Sequence, residues 1–165
     1  LRFFNKFYLI AMPGQKKTPT LLLLCLTAGT LDAIAAIVMS WPHTTGMFKY
    51  IASGWVGVEA FKGGTGMVVL GILSHYLIAS IHSCVFFFLY PGFKRVIGNK
   101  FAIAIVMGIL IWAIMEFIVL PLSNIPKRTS PESVSSMLIG AGVLCITLGA
   151  PIVVFADRYF SGKVR

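Results

Sequence analysis

The chain has 165 residues, 58% of them hydrophobic and 12% charged, with a formal net charge of +9 and a mean hydropathy of +0.90. A water-soluble domain of this size needs far more polar surface, so the composition excludes one and indicates an all-α integral membrane protein. The excess of cations would suggest nucleic acid in a soluble protein. Here the Lys and Arg residues sit at the ends of apolar runs, where they report orientation, and no nucleic-acid partner is expected.

Residues 1–17 mix Phe3, Phe4, Phe7, Tyr8 and Ile10 with Arg2, Lys6, Lys16 and Lys17, and break at Pro13-Gly14. Two readings fit: an interfacial amphipathic segment, or an unstructured tail. The first apolar run, about 19–41, is interrupted only by Asp32. It is too long for a signal peptide and has no small-x-small exit before Trp41, so it is read as a retained span.

Residues 42–65 are too patterned for a plain connector. Phe48, Ile51, Trp55 and Val58 recur at three- and four-residue intervals, which predicts an interfacial amphipathic helix over about 45–61 with these four side chains as its contact face. Thr44 or Thr45 is expected to cap it and Gly63-Gly64 to end it. Gly54 and Gly57 weaken such a helix unless something packs closely on its backbone.

Residues 63–93 contain no charged side chain, more than the roughly 20 residues that cross a bilayer core. The second span is placed at 66–90, with Gly71, Ser74, His75, Ile78 and His82 on neighbouring faces and a stop at Tyr90-Pro91-Gly92. The third, 101–122, is interrupted only by Glu116. Ser130-Pro131-Glu132 carries the signature of a helix start, and the fourth span follows at 132–156. In it Ala141, Cys145 and Gly149 place a small residue at every fourth position for close helix approach, and Pro151 predicts a kink. Cys25, Cys84 and Cys145 read as packing residues within spans. No second domain is indicated: residues 1–165 form one membrane domain.

Arg2, Lys6, Lys16, Lys17, Lys94, Arg95, Lys100, Arg158, Lys163 and Arg165 fall on one side of this arrangement. Lys49, Lys62, Lys127 and Arg128 fall on the other. The asymmetry places both termini in the cytoplasm and the first loop outside.

Counted inward from the outer ends, Asp32, His75 and Glu116 lie at similar depths, roughly 9–14 Å. A carboxylate in a span is costly and needs partners inside the bundle. Three readings stay open for the cluster: a hydrogen-bonded clamp joined by Thr30, Ser74 or Ser40, a proton or ion site, and a metal site. His82 adds a second polar position about 10 Å deeper than His75 on a similar face. Two histidines on one helix cannot embrace a haem, no catalytic motif is present, and no cofactor is expected.

Gly29-Thr30-Leu31-Asp32, Ile51-Ala52-Ser53-Gly54, Phe61-Lys62-Gly63-Gly64, Leu70-Gly71 before His75, and Val119-Leu120-Pro121-Leu122-Ser123 together resemble a family of small, uncharacterised bacterial four-helix inner-membrane proteins. The similarity covers most of residues 27–123 and, in the fourth span, Gly149 and Pro151. It implies the four-helix bundle and a multi-pass location in the bacterial inner membrane, and it carries no catalytic residues. An amide often occupies the place of Glu116 in that family, which favours Asp32 and His75 over Glu116 as the essential pair.

The functional expectation is a small integral subunit or accessory protein docking within a larger membrane assembly, its partners being the lipid bilayer and other membrane subunits or further copies of itself. The alternative is an oligomeric proton, ion or small-solute transporter that uses the Asp32, His75 and Glu116 cluster.

Overall fold

The structure, a computed structural model, describes residues 17–127 and 133–162. The segment before Lys17 and the helix start predicted at 130–132 lie outside the described residues. Six helical elements follow in order: α1 (Lys17–Ser40), α2 (Thr44–Val56), α3 (Glu59–Lys62), α4 (Thr65–Ile97), α5 (Lys100–Leu122) and α6 (Val134–Ser161). Four of them, α1, α4, α5 and α6, are long and apolar enough to cross a membrane. Their outward faces carry Leu22, Ile34, Leu73, Ile81, Phe117 and Ile146 exposed, the surface a hydrocarbon solvent requires. This is a multi-pass, all-helical membrane protein.

α1 lies against α4 and α6, and α5 against α6 and α4. The small residues set these distances. A Cβ on Gly108 would overlap the Cys145 backbone, and one on Gly149 would overlap the Ala104 carbonyl. The predicted small-residue stripe on the fourth span is therefore the seam between α5 and α6.

The helix limits depart from the sequence reading at three places. α4 does not stop at Tyr90 but runs through Pro91 to Ile97, ending at Gly98 with φ of 72°. Pro91 removes one backbone donor. Tyr90 and Lys94, one turn apart, both reach Asp157 of α6, and those bonds hold the helix together past the proline. The start of α6 is capped by Ser133, whose hydroxyl accepts from the Ser136 amide at 3.2 Å, and its end lies at Ser161 rather than 156. Pro151 and Pro121 each follow a widened π turn, Cys145–Gly149 in α6 and Met115–Val119 in α5. The missing N–H leaves a carbonyl unserved one turn back, and the helix absorbs this by widening and under-winding locally.

The predicted loop helix over 45–61 is two pieces. α2 ends at Val56 because Gly57 takes φ of 65°, a conformation open to glycine at little cost, and α3 is a separate turn. Neither Thr44 nor Thr45 caps α2. The residue before it is His43, with no side-chain bond to the helix, and the buried Thr44 hydroxyl has no partner among the described residues. Termination at Gly63-Gly64 agrees with expectation: α3 ends at Lys62 and Gly63 is extended.

α2 folds back onto α4. The Phe48 backbone rests where a side chain on Gly71 would stand, and Phe48, Ala52 and Ser53 are buried. Its far end is tied to the chain after α5, where the Asn124 amide donates to the Gly54 carbonyl at 3.0 Å and the Asn124 side chain donates to the Trp55 carbonyl at 2.9 Å. A side chain on Gly54 would meet Ser123 and Ile125 only at ordinary contact distance, so the close approach at this helix is made by Gly71 against Phe48 and not by Gly54.

Candidate functional site

Each long helix sends one polar side chain or more to the half of the bundle nearest α2. α1 carries Asp32, α4 carries His75 and His82 two turns apart, and the π turns of α5 and α6 carry Glu116 and Thr147. Asp32, His75, His82 and Glu116 all line one cavity of about 450 Å³. Apart from Ser136 its walls are otherwise mainly apolar, with Trp112, Met115, Ile78 and Leu148 among them. Met39 of α1 and Ile139 of α6 line it while largely exposed, so its mouth lies between these two helices.

The Thr147 hydroxyl donates to Asp32 Oδ1 at 2.7 Å. The other carboxylate oxygen, Oδ2, faces His75 Nε2 at 3.9 Å, beyond hydrogen-bond range. His75 Nε2 instead lies 3.1 Å from the Gly29 carbonyl. A carbonyl only accepts, so Nε2 carries the hydrogen. By the same logic His82 Nδ1, 2.9 Å from the Ile78 carbonyl, carries a hydrogen.

The expected pair of Asp32 and His75 is therefore adjacent across α1 and α4 but not directly bonded. Thr30, Ser74 and Ser40 do not join the cluster. Thr30 bonds the Tyr76 hydroxyl at 3.0 Å, Ser74 donates to the Leu70 carbonyl and accepts from Trp55, and Ser40 donates to the Ile37 carbonyl. Thr147 takes the role assigned to them. In sequence it is one hydroxyl in an apolar run, and the only signal is Pro151 four residues on, which disturbs the turn that presents it. Among the described residues, no three His, Cys, Asp or Glu side chains come together in a way that could hold a metal ion.

The predicted contact stripe divides. Phe48 is buried against α4, and Ile51 reaches the cavity wall. Trp55 and Val58 are 59% and 57% exposed, so they do not pack on the bundle of this chain. Trp55 sits at the last turn of α2, where only its indole N–H reaches α4, donating to Ser74 Oγ at 2.8 Å. Val58 lies beyond the break at Gly57.

A second polar cluster occupies the opposite end of the bundle. Asp157 accepts from Lys94 and Lys100, each at 2.5 Å, and from the Tyr90 hydroxyl at 2.7 Å. It joins α4, α5 and α6. The cysteines remain thiols, with Cys25 and Cys84 in contact across α1 and α4 at 3.8 Å. Comparison with known protein families, curated protein sequences and solved structures returns no match for this chain.

Proposed function

We propose that this chain is a small membrane carrier whose bundle binds a solute in a protonatable cavity, working as an oligomer because four helices enclose little pathway alone. One observation carries the reading. Apart from Asp157 at the far end, every Asp, Glu and His in the four long helices lines the same cavity. Ionisable groups at membrane depth are costly, and where they persist they face pathways, relays or binding sites. A purely structural clamp needs no empty volume beside it.

The same proposal includes the resemblance to the four-helix inner-membrane family and a bacterial inner-membrane location. It also places both chain ends in the cytoplasm, on the strength of the ten-to-four cation asymmetry. Labelling of cysteines introduced at the exposed Thr45 and Ser161 in whole cells tests the orientation, and external labelling at Ser161 would reverse it.

The cavity reading is tested with dicyclohexylcarbodiimide, an apolar reagent that adds to protonated carboxyl groups reached from the membrane. Asp32 or Glu116 is expected to be modified in the native protein, as read by peptide mass spectrometry. Absence of modification at both, over mildly acidic to neutral pH, rejects a protonatable cavity open to the bilayer.

A second reading, an accessory subunit of a larger assembly, is favoured by the apolar surface at the α2 end, where Trp41, Trp55, Val56, Val58 and Phe61 are exposed. Purification in mild detergent separates the two: a stoichiometric heteromeric complex supports the subunit, and a homo-oligomer supports the carrier.

A further inference from the structure

The cations of the described residues are unevenly placed, and one end of the bundle gathers them where three helices meet. We propose that this junction of α4, α5 and α6 is a docking site for an acidic phospholipid, whose head-group phosphate is bridged by Lys94 and Lys100. The inference is independent of what the cavity binds and rests only on the chain spanning a membrane.

Charge is the first observation. Lys17, Lys94, Arg95, Lys100 and Arg158 lie at this end, and Asp157 is its one acid among the described residues. Lys17 is placed here by its ammonium, 4.5 Å from the centre of the Phe88 ring of α4. Asp157 takes one lysine on each carboxylate oxygen, so two positive charges share one negative charge and the cluster keeps a positive excess. The α2 end is better balanced: Lys62 is paired with Glu59 at 2.7 Å, and Lys49 donates to the Phe61 carbonyl. An acidic head group is drawn to the first end.

Geometry is the second. An ammonium carries three N–H donors. Lys94 Nζ has two acceptors, Asp157 Oδ1 at 2.5 Å and Ser161 Oγ at 3.2 Å, and Lys100 Nζ has one, Asp157 Oδ2 at 2.5 Å. Three of the six donors therefore have no hydrogen-bond partner among the described residues, and the two side chains are 41% and 58% exposed. A phosphate spaces its oxygens much as a carboxylate does, so two ammoniums collected on one carboxylate stand close enough for one phosphate to meet both. Asp157, itself fixed by the Tyr90 hydroxyl at 2.7 Å, is a positioning residue for the pair.

The surroundings separate a lipid from a soluble anion. Val96, two residues beyond Lys94, and Phe101, next to Lys100, are 85% and 83% exposed. Lys94 stands in the last turn of α4 and Lys100 in the first turn of α5. Both helices are long and apolar enough to cross a membrane, so these apolar side chains stand where acyl chains meet head groups. A soluble phosphate or an acidic protein leaves them against water. A diacyl lipid covers them with its chains while its phosphate meets the lysines.

The test uses the full chain in mild-detergent micelles with equimolar phosphatidylglycerol and phosphatidylcholine of matched acyl chains, and native mass spectrometry counts the lipid retained. Phosphatidylglycerol is expected to be retained preferentially, less so as salt rises. A phosphatidylglycerol with a diazirine beside its head group should cross-link to residues 94–101. Lys94→Gln with Lys100→Gln should lower the preference about tenfold. Arginine at both positions should keep it, and Lys49→Gln with Lys62→Gln at the opposite end should leave it unchanged. Asp157→Asn retains an acceptor for Tyr90 and removes the competing charge, so the preference should rise; a purely structural clamp predicts no rise.

Equal retention of the two lipids by wild-type protein, cross-links confined to residues 44–62, or an unchanged preference in the glutamine double variant overturns the proposal. Displacement of the lipid by inorganic phosphate also overturns it, by assigning an open phosphate site. The competition and the cross-linking use wild-type protein and require no variant to fold. Their failure leaves the carrier reading of the cavity standing.

Discussion

The two halves of the bundle differ in how they use the same four helices. At the end carrying Lys94 and Lys100, Phe86, Phe87, Ile103, Met107, Ile152 and their neighbours form a closed apolar core, capped by the clamp on Asp157. Here α4 packs directly on the second part of α6, Ala150–Ser161. At the other end α4 is occupied by α2, and the space between the long helices stays open as the cavity. The π turns in α5 and α6 border it. At the first end small residues and aromatic rings exclude space and the ionisable groups are paired with one another; at the second, ionisable groups border the space that remains.

The sharpest way to break this comparison is to make equal deletions in both halves. Phe87 is fully buried and touches the rings of Phe88, Tyr159 and Phe160. Phe87→Ala is expected to cost about 3 kcal/mol through lost packing. Ile78 already faces the cavity on one side, and Ile78→Ala should cost about 1 kcal/mol or less because little new void is made. Unfolding titrations from mild detergent into dodecyl sulfate measure both. Equal costs would mean that the cavity half is as tightly packed as the core.

Asp157 comes next. Asp157→Ala leaves two lysines and a tyrosine hydroxyl without their shared acceptor. The lysines are 41% and 58% exposed and recover hydration, so a loss of about 1–2 kcal/mol is expected, less than for a fully buried pair. The effect should shrink at high salt. A loss that does not depend on salt would assign the site to packing and to the Tyr90 bond rather than to charge.

Much of this contrast was legible in the sequence. Runs without charge gave the four long helices, and counting inward from their ends brought Asp32 and His75 to one level because a helix has a fixed rise per residue. Three features were not legible. The 48-51-55-58 pattern has helical spacing, but spacing does not register the positive φ that Gly57 adopts. Lys94 and Lys100 read as topology signals, and nothing local announced that both would bond Asp157 some sixty residues away. Thr147 was silent because a hydroxyl in a helix can return to its own backbone, as it also does here toward the Val143 carbonyl at 3.0 Å.

Thr147 offers a smaller and more specific test of the cavity half. Thr147→Val keeps the shape and removes the donor to Asp32, with an expected cost of about 1 kcal/mol. Thr147→Ser should restore most of it, since the hydroxyl is all that the contact requires. If valine is tolerated and serine is worse, the residue packs and does not orient Asp32.

The smallest expected effect concerns the attachment of α2 to the cavity half. Trp55 is mostly exposed, and its contact with α4 among the bonds described is the single donation to Ser74 Oγ. Trp55→Phe keeps an aromatic ring and deletes the donor, so about 0.5–1 kcal/mol should be lost. Ser74 still donates to the Leu70 carbonyl and is not left with an idle hydrogen. Ser74→Ala should add little on top of Trp55→Phe if the two groups act only on each other, and a double-mutant cycle reads that coupling. If the two losses are additive, the bond does not hold α2 in place. The backbone contact of Phe48 with Gly71 and the bonds from Asn124 then secure the helix, and the indole lies free at the membrane interface, where tryptophan is enriched for its own reasons.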